Sequence, residues 1–287
     1  MKIVDIIKDS KPSLSFEVFP PKTTDKYDVI SNAVKEIAAL NPSYMSVTYG
    51  AGGGTSEYTS KIAQEVQSYG VTSLAHLSCI SSNKAQIENE LNKLKALGIN
   101  NILALRGDRV NSVADEKTPD FKYAYELIDA IKAKGGFCIG GACYPESHPE
   151  SATVKSDLEY LKLKVEHGCD FLTTQMFFDN SIFYSFLENT QNIGINVPIV
   201  AGLMPITAMS QLERIVYLSG NALPDKFLKI VDRFSNDPLS FRKASIEYTI
   251  NQAIDIYSNG INAVHIYSMN KSDVAKEIQN NLWDIIR

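Results

Sequence analysis

Residues able to do chemistry cluster in short segments that end in turn-forming residues. Glu17 stands inside the apolar run FEVFPPK. A carboxylate there is costly to bury unless it is protonated, paired or put to use. It reads either as a functional acid or as a structural partner of an inward Arg or Lys. Thr48 lies in SVTYGAGGG, whose glycines either permit close backbone approach to a ligand or form a mobile loop. The run is not GxGxxG, so it lacks the fingerprint of a Rossmann dinucleotide site. His76 sits in AHLSCI, Arg106, Gly107 and Asp108 close LALRGD, Tyr144 and His148 fall in ACYPESHPE, and Gln175 in TTQMFFD.

His76 and His148 could suggest a metal, but no HxH, no HExxH and no completing carboxylate accompanies them. Hydrogen-bonding roles are expected instead, and no metal. His167 and His265 read as structural. No candidate strand carries a central lysine, which argues against a Schiff base. Cys143 has no activating base beside it and reads as inert. Phe177 and Phe178 serve equally well as core or as stacking platforms.

The elements that must position these residues alternate. Strands are expected at Ser13–Phe19, Tyr44–Tyr49, Thr72–Ser78, Asn101–Leu105, Phe137–Ala142, Phe171–Gln175, Pro198–Leu203 and Ala263–Tyr267. Amphipathic helical stretches separate them. Asn83–Leu97 places Ile87, Leu91, Leu94 and Leu97 on one face, with Ser82 as cap and Gly98 past the end. Asp157–His167 and Asp237–Asn259 repeat the pattern, and Asp225–Phe234 reads as an extra helix after the loose segment Asn221–Asp225. Lys2–Lys8 is expected to form a short helix that closes the bottom. Eight strand–helix units in 287 residues give a (β/α)8 TIM barrel, an α/β fold in one domain over 1–287. A doubly wound open sheet is the competitor. The chemistry-bearing residues lie on the strands or immediately after them, where a barrel carries its active site.

Net charge is −5, with no basic run to neutralise phosphates, so no nucleic-acid partner is expected. No apolar stretch reaches the ~18 residues of a membrane span, and none forms a signal peptide. Four cysteines without a CxxC pair fit a reducing compartment. A cytoplasmic protein is expected.

Taken in order, FEVFPPK, SVTYGAGGG, AHLSCI, LALRGD, ACYPESHPE and TTQMFFD resemble the methylenetetrahydrofolate reductase family, in its short single-domain bacterial form. The resemblance runs from about Ser13 to Lys271. It implies a barrel that holds FAD at the C-terminal ends of its strands. The implied oxidoreductase activity reduces 5,10-methylenetetrahydrofolate to 5-methyltetrahydrofolate, with hydride passed from NADH or NADPH through the flavin, in one-carbon metabolism leading to methionine. By resemblance Glu17 is the general acid and Asp108 lies between flavin and pterin. Gln175, Gln211 and Lys271 join Asp108 in holding folate. The implied FAD positions are Thr48, His76, Leu105, Arg106, Gly107, Asp108, Tyr123, Ala124, Ala142, Tyr144, His148, Asp157 and Lys164. Three residues depart from the family pattern: Tyr160 where an amide is common, Ile215 where an aromatic or leucine packs, and Lys271 where arginine is frequent. Eukaryotic members carry a C-terminal regulatory domain, for which this sequence leaves no room. A homo-oligomer is expected, and a protein electron donor remains open. The alternatives are a pterin-binding methyltransferase-like barrel and a subunit of a larger redox complex.

Overall fold

The computed structural model describes residues 1–49, 56–107, 120–219 and 221–287. Eight parallel strands close on themselves in sequence order: β1 (Ser13–Val18), β2 (Met45–Val47), β3 (Ser73–Ser78), β4 (Asn101–Leu105), β5 (Cys138–Cys143), β6 (Phe171–Thr174), β7 (Ile199–Leu203) and β8 (Ala263–Ile266). The β8–β1 pairing, with Phe16 opposite Ile266, excludes the open sheet. All eight expected strands form, and β2 is shorter at both ends than expected.

Strand alternation decides what faces where. Leu14, Phe16 and Val18 point outward into the main core between barrel and helices, beside Ile62, Ile131 and Phe183. Ser13, Ser15 and Glu17 therefore point inward. The lower barrel interior is apolar, filled by Tyr44, Leu74, Leu103, Cys138, Phe171 and Val200. The short helix Ile3–Ile7 plugs it from below through Ile3 and Ile7. The Ile3 amide donates to Asn101 Oδ1 at 2.9 Å, so the plug is oriented as well as buried. Truncating either isoleucine should cost ~2–5 kcal/mol.

Two expected helix starts are corrected. The helix Lys84–Ala96 is capped by Asn83, not Ser82: Asn83 Oδ1 accepts from the Gln86 amide (2.9 Å) and Gln86 Oε1 accepts from the Asn83 amide (2.8 Å). That reciprocal pair satisfies two otherwise orphaned donors. The helix reaching His167 starts at Val154, three residues earlier than expected, because Thr153 caps it. The extra helix Asp225–Phe234 is present, and Phe227 packs against Phe178, Ile215 and Tyr248 beneath it. The segment before it is anchored: Asn221 Nδ2 donates to Glu146 Oε1 (2.7 Å) and the Ala222 amide to Glu146 Oε2 (2.8 Å).

Candidate active site

Glu17 lies near the upper end of β1, facing the barrel interior and 7% exposed. Burial pushes its carboxyl up to about 8. His76, inward on β3, is pushed down to about 3, also by burial. Their closest atoms, Glu17 Oε2 and His76 Nε2, are 3.7 Å apart. At neutral pH both groups are uncharged, so this is a neutral contact rather than an ion pair, and it is too long for a hydrogen bond. His76 Nε2 has no hydrogen-bond partner among the described residues. Tyr267, following β8, is held in its neutral form by burial and by Glu17, and its hydroxyl donates to the Thr174 carbonyl.

One layer below, His265 is wholly committed to structure. Its Nδ1 pairs with Ser15 Oγ (2.7 Å) and its Nε2 with Ser46 Oγ (3.0 Å), and it stacks on Tyr44. The structural reading of His265 is correct. His167 pairs on the surface with Asp129 at 2.8 Å. All four cysteines are free and buried, and burial raises each thiol, so none is poised as a nucleophile.

A cleft of about 570 Å3 opens along the ends of β4 and β5, and neither Glu17 nor His76 is part of its wall. Its wall contains Leu105, Arg106, Gly107, Tyr123, Ala124, Ala142, Tyr144, His148, Asp157 and Lys164. Ten of the thirteen positions expected to touch FAD thus share one cavity. Thr48 and His76 lie outside its wall, although Tyr49, next to Thr48, is part of it. Asp108 and the glycine run at 50–54 lie outside the described residues.

The cleft wall carries cations and aromatic rings side by side. Lys164 is half-buried, and Nζ donates to the Ala142 carbonyl at 2.8 Å; partial loss of water lowers its pKa, so the ammonium gains from any anion brought beside it. Arg106 makes a two-pronged contact with Glu150 (2.6 and 2.8 Å). His148 Nδ1 accepts from the Glu150 amide at 3.0 Å, and its ring meets Tyr144 edge-on at 4.7 Å. Asp157 accepts from Ser151 Oγ at 2.7 Å. At the outer rim Tyr160, 46% exposed, stacks on Tyr123 with centroids 5.6 Å apart. Gly107 has φ +87°, and a Cβ there would sit 3.0 Å from Ser78 Oγ, so only glycine lets the chain turn here. The pieces match a dinucleotide: half-buried cations for a diphosphate, phenols for ring faces, and a strand-end backbone open to close approach. Among the described residues no group of three or more His, Cys, Asp or Glu could hold a metal.

The expected folate residues fall elsewhere on the rim. Lys271 Nζ contacts Thr207 Oγ1, whose hydroxyl and amide both donate to Gln211 Oε1 at 3.0 Å. Gln175, at the end of β6, accepts from the Met176 amide at 3.0 Å. Around the barrel, Glu17 on β1 lies between the Lys271 cluster after β8 and the cleft at β4 and β5. Ile215 is buried in the cluster under the extra helix. Phe177 packs in the main core and Phe178 in that smaller cluster, so both are core. No role was assigned from the sequence to Thr207, Glu150, Ser268 or Asn270. Thr207 and Asn270 at least occupy post-strand turns, where polar side chains deserve suspicion.

The family model for methylenetetrahydrofolate reductase matches residues 2–283. The NADH-named methylenetetrahydrofolate reductase 1 of Zea mays is 33% identical over 98% of this chain and 50% of its own length. The 5,10-methylenetetrahydrofolate reductase of Pectobacterium carotovorum is 30% identical over 94% of this chain and 90% of its own. The chain thus spans about half the length of the plant relatives it matches and nearly all of the bacterial one. Among solved structures, an uncharacterized Clostridium thermocellum protein that binds two copies of 5-methyl-5,6,7,8-tetrahydrofolic acid aligns with a TM-score of 0.66 at 16% identity, over 98% of this chain and 99% of its own. Oxaloacetate acetylhydrolase aligns at 0.55 and 10% identity, over 99% and 85%, which reflects the shared barrel alone. With the family model matching residues 2–283 and a bacterial relative 30% identical over 90% of its own length, the chain belongs to the methylenetetrahydrofolate reductase family.

Proposed function

We propose that this barrel reduces 5,10-methylenetetrahydrofolate to 5-methyltetrahydrofolate, using FAD held in the β4–β5 cleft. The observation that carries the reading is Glu17: a carboxyl facing the barrel interior that burial pushes up to about 8, in a barrel whose β4 and β5 ends open into that cleft. Bound FAD would supply hydride taken from NADH or NADPH. Lys164, Arg106 and His148 would neutralise its diphosphate, and Tyr123 with Tyr160 would cover its purine end. Stacking by Tyr160 takes the place of the amide common in the family.

Glu17 would donate its proton to N10 of the folate, which opens the five-membered ring and leaves the methylene carbon electrophilic. Neutral His76 suits this task, since a cation there would pull the Glu17 proton off. Gln175, Gln211 and Lys271 would hold the folate, and Asp108 would face the positive charge that develops as the ring opens. Members of this family named for folate chemistry include a bacterial relative of nearly the same length. The Clostridium barrel that binds 5-methyl-5,6,7,8-tetrahydrofolic acid shows that a barrel of this shape can accept a folate.

The test separates the two half-reactions. In Glu17→Gln, reduction of protein-bound FAD by NADH or NADPH should survive. Oxidation of the reduced protein by methylenetetrahydrofolate should slow by the ~10²–10⁴ typical of a lost general acid. Equal losses in both would make Glu17 structural.

A further inference from the structure

The ladder between β1 and β8 stops at Phe16 opposite Ile266, one residue before Glu17. On its other side β1 stays paired to β2 as far as Val18 opposite Val47. Towards β8, therefore, the segment carrying Glu17 has no strand partner. Side chains from the turn after β8 take over. Ser268 Oγ donates to the Glu17 carbonyl at 3.0 Å. Asn270 grips both backbone groups of Phe19: its Oδ1 accepts from the Phe19 amide at 2.8 Å, and its Nδ2 donates to the Phe19 carbonyl at 3.0 Å. To bring its amide there the chain adopts two successive left-handed residues, Met269 (φ +55°) and Asn270 (φ +61°). Asparagine tolerates that conformation; methionine does so only where surrounding contacts impose it.

We propose that Asn270 is a positioning residue for Glu17: the strained turn after β8 clamps the free end of β1 and so fixes where the Glu17 carboxyl is presented. The functional half of this inference rests on the proposed reduction. The same turn ends at Lys271, whose ammonium reaches Thr207. One four-residue turn thereby sets the relative placement of the proton donor and a folate-holding cation. The titratable groups facing Glu17 among the described residues are His76 from β3 and Tyr267 after β8, both neutral near pH 7. Neither can hold the carboxyl by charge, which leaves its placement to the backbone.

Asn270→Gly is the informative change, because glycine keeps the left-handed backbone and removes only the clamp. Glu17 is followed by carbon-13 NMR of side-chain-labelled glutamate, its signal identified by its loss in Glu17→Gln. In the parent it should titrate near 8. In Asn270→Gly the midpoint should fall by a pH unit or more, as the loosened strand end lets the carboxyl reach water. The folate half-reaction should slow about tenfold or more, since small displacements of a reacting group are costly, with flavin reduction unchanged. Ser268→Ala, which removes a single hydroxyl, should shift the titration in the same direction by less, and it decides the matter if the glycine variant does not fold. A parent-like titration in the variants overturns the proposal and leaves Asn270 a residue chosen only for its backbone conformation. Variants whose titration shifts, made in a parent that does not reduce methylenetetrahydrofolate, uphold the clamp and refute the reaction.

Discussion

Replacing Glu17 by glutamine should stabilise the protein while it disables it, and the gain should grow with pH. In the unfolded chain the carboxyl ionises with its ordinary value of 4.5; in the folded barrel it holds its proton up to about 8. Between those values the unfolded state binds fewer protons than the folded one. Each pH unit in that window therefore removes about 1.4 kcal/mol of folding stability. That stability is fully present below pH 4.5 and gone once pH has risen through 8. Glutamine has the same shape and no proton to lose. Between pH 5.5 and 8.5 the variant should gain about 3 kcal/mol on the parent. His76 and His265 act with the opposite sign: their folded values near 3 lie below 6.5, so they stabilise at high pH and lose that contribution as pH falls. Both proteins carry them, so they drop out of the difference to first order. Reversible urea titrations of the cofactor-free proteins at several pH values give the curve directly. A difference that stays flat from pH 5.5 to 8.5 would show that Glu17 is ionised or solvated in the fold, and the proton-donor argument would fail with it.

Lys164→Met should weaken FAD binding by about thirtyfold or more, the cost of removing one partner from a desolvated charge pair, with little change in the stability of the cofactor-free protein. Quenching of flavin fluorescence on titration of the apoprotein measures it, and an unchanged dissociation constant would remove Lys164 from the site. Gly202→Ala should lower Tm by destabilising the barrel ~1–3 kcal/mol, because the new Cβ would lie 2.4 Å from the Thr174 carbonyl and 2.6 Å from Tyr267 Oη. A parent-like Tm would show that β6 and β8 can move apart at no cost.

The strands were legible because each is a short apolar run bounded by turn residues; counting eight of them favoured a barrel, and the β8–β1 pairing decided it. Helix starts were less so. Ser82 and Asn83 are both good caps, and only Gln86, three residues beyond Asn83, marks which one closes the reciprocal pair. The Val154 start was missed because the apolar face at Leu158, Leu161 and Val165 drew the eye past Thr153. In the site, Glu17 stood out because a carboxyl among apolar neighbours is costly wherever it faces. Asn270 could not stand out. Its partner is 251 residues away and is a backbone, which carries no side-chain signature. Glu150 hid for a related reason, since an acid in a polar loop looks solvated until Arg106, 44 residues earlier, is seen to meet it.

The separation between Phe19 and Asn270 also has a consequence for biosynthesis. At ~5–20 residues per second, roughly 13–50 s pass between synthesis of the two. Throughout that time β1 has β2 to pair with and nothing on its other side, so it presents a bare edge of amides and carbonyls to whatever strand comes near. Glu17 emerges among the first residues and stays an ordinary solvated carboxylate until β8 arrives. A nascent chain of this kind has every incentive to be held by a chaperone until its last strand appears. The protonated carboxyl comes into being only when that strand closes the ring.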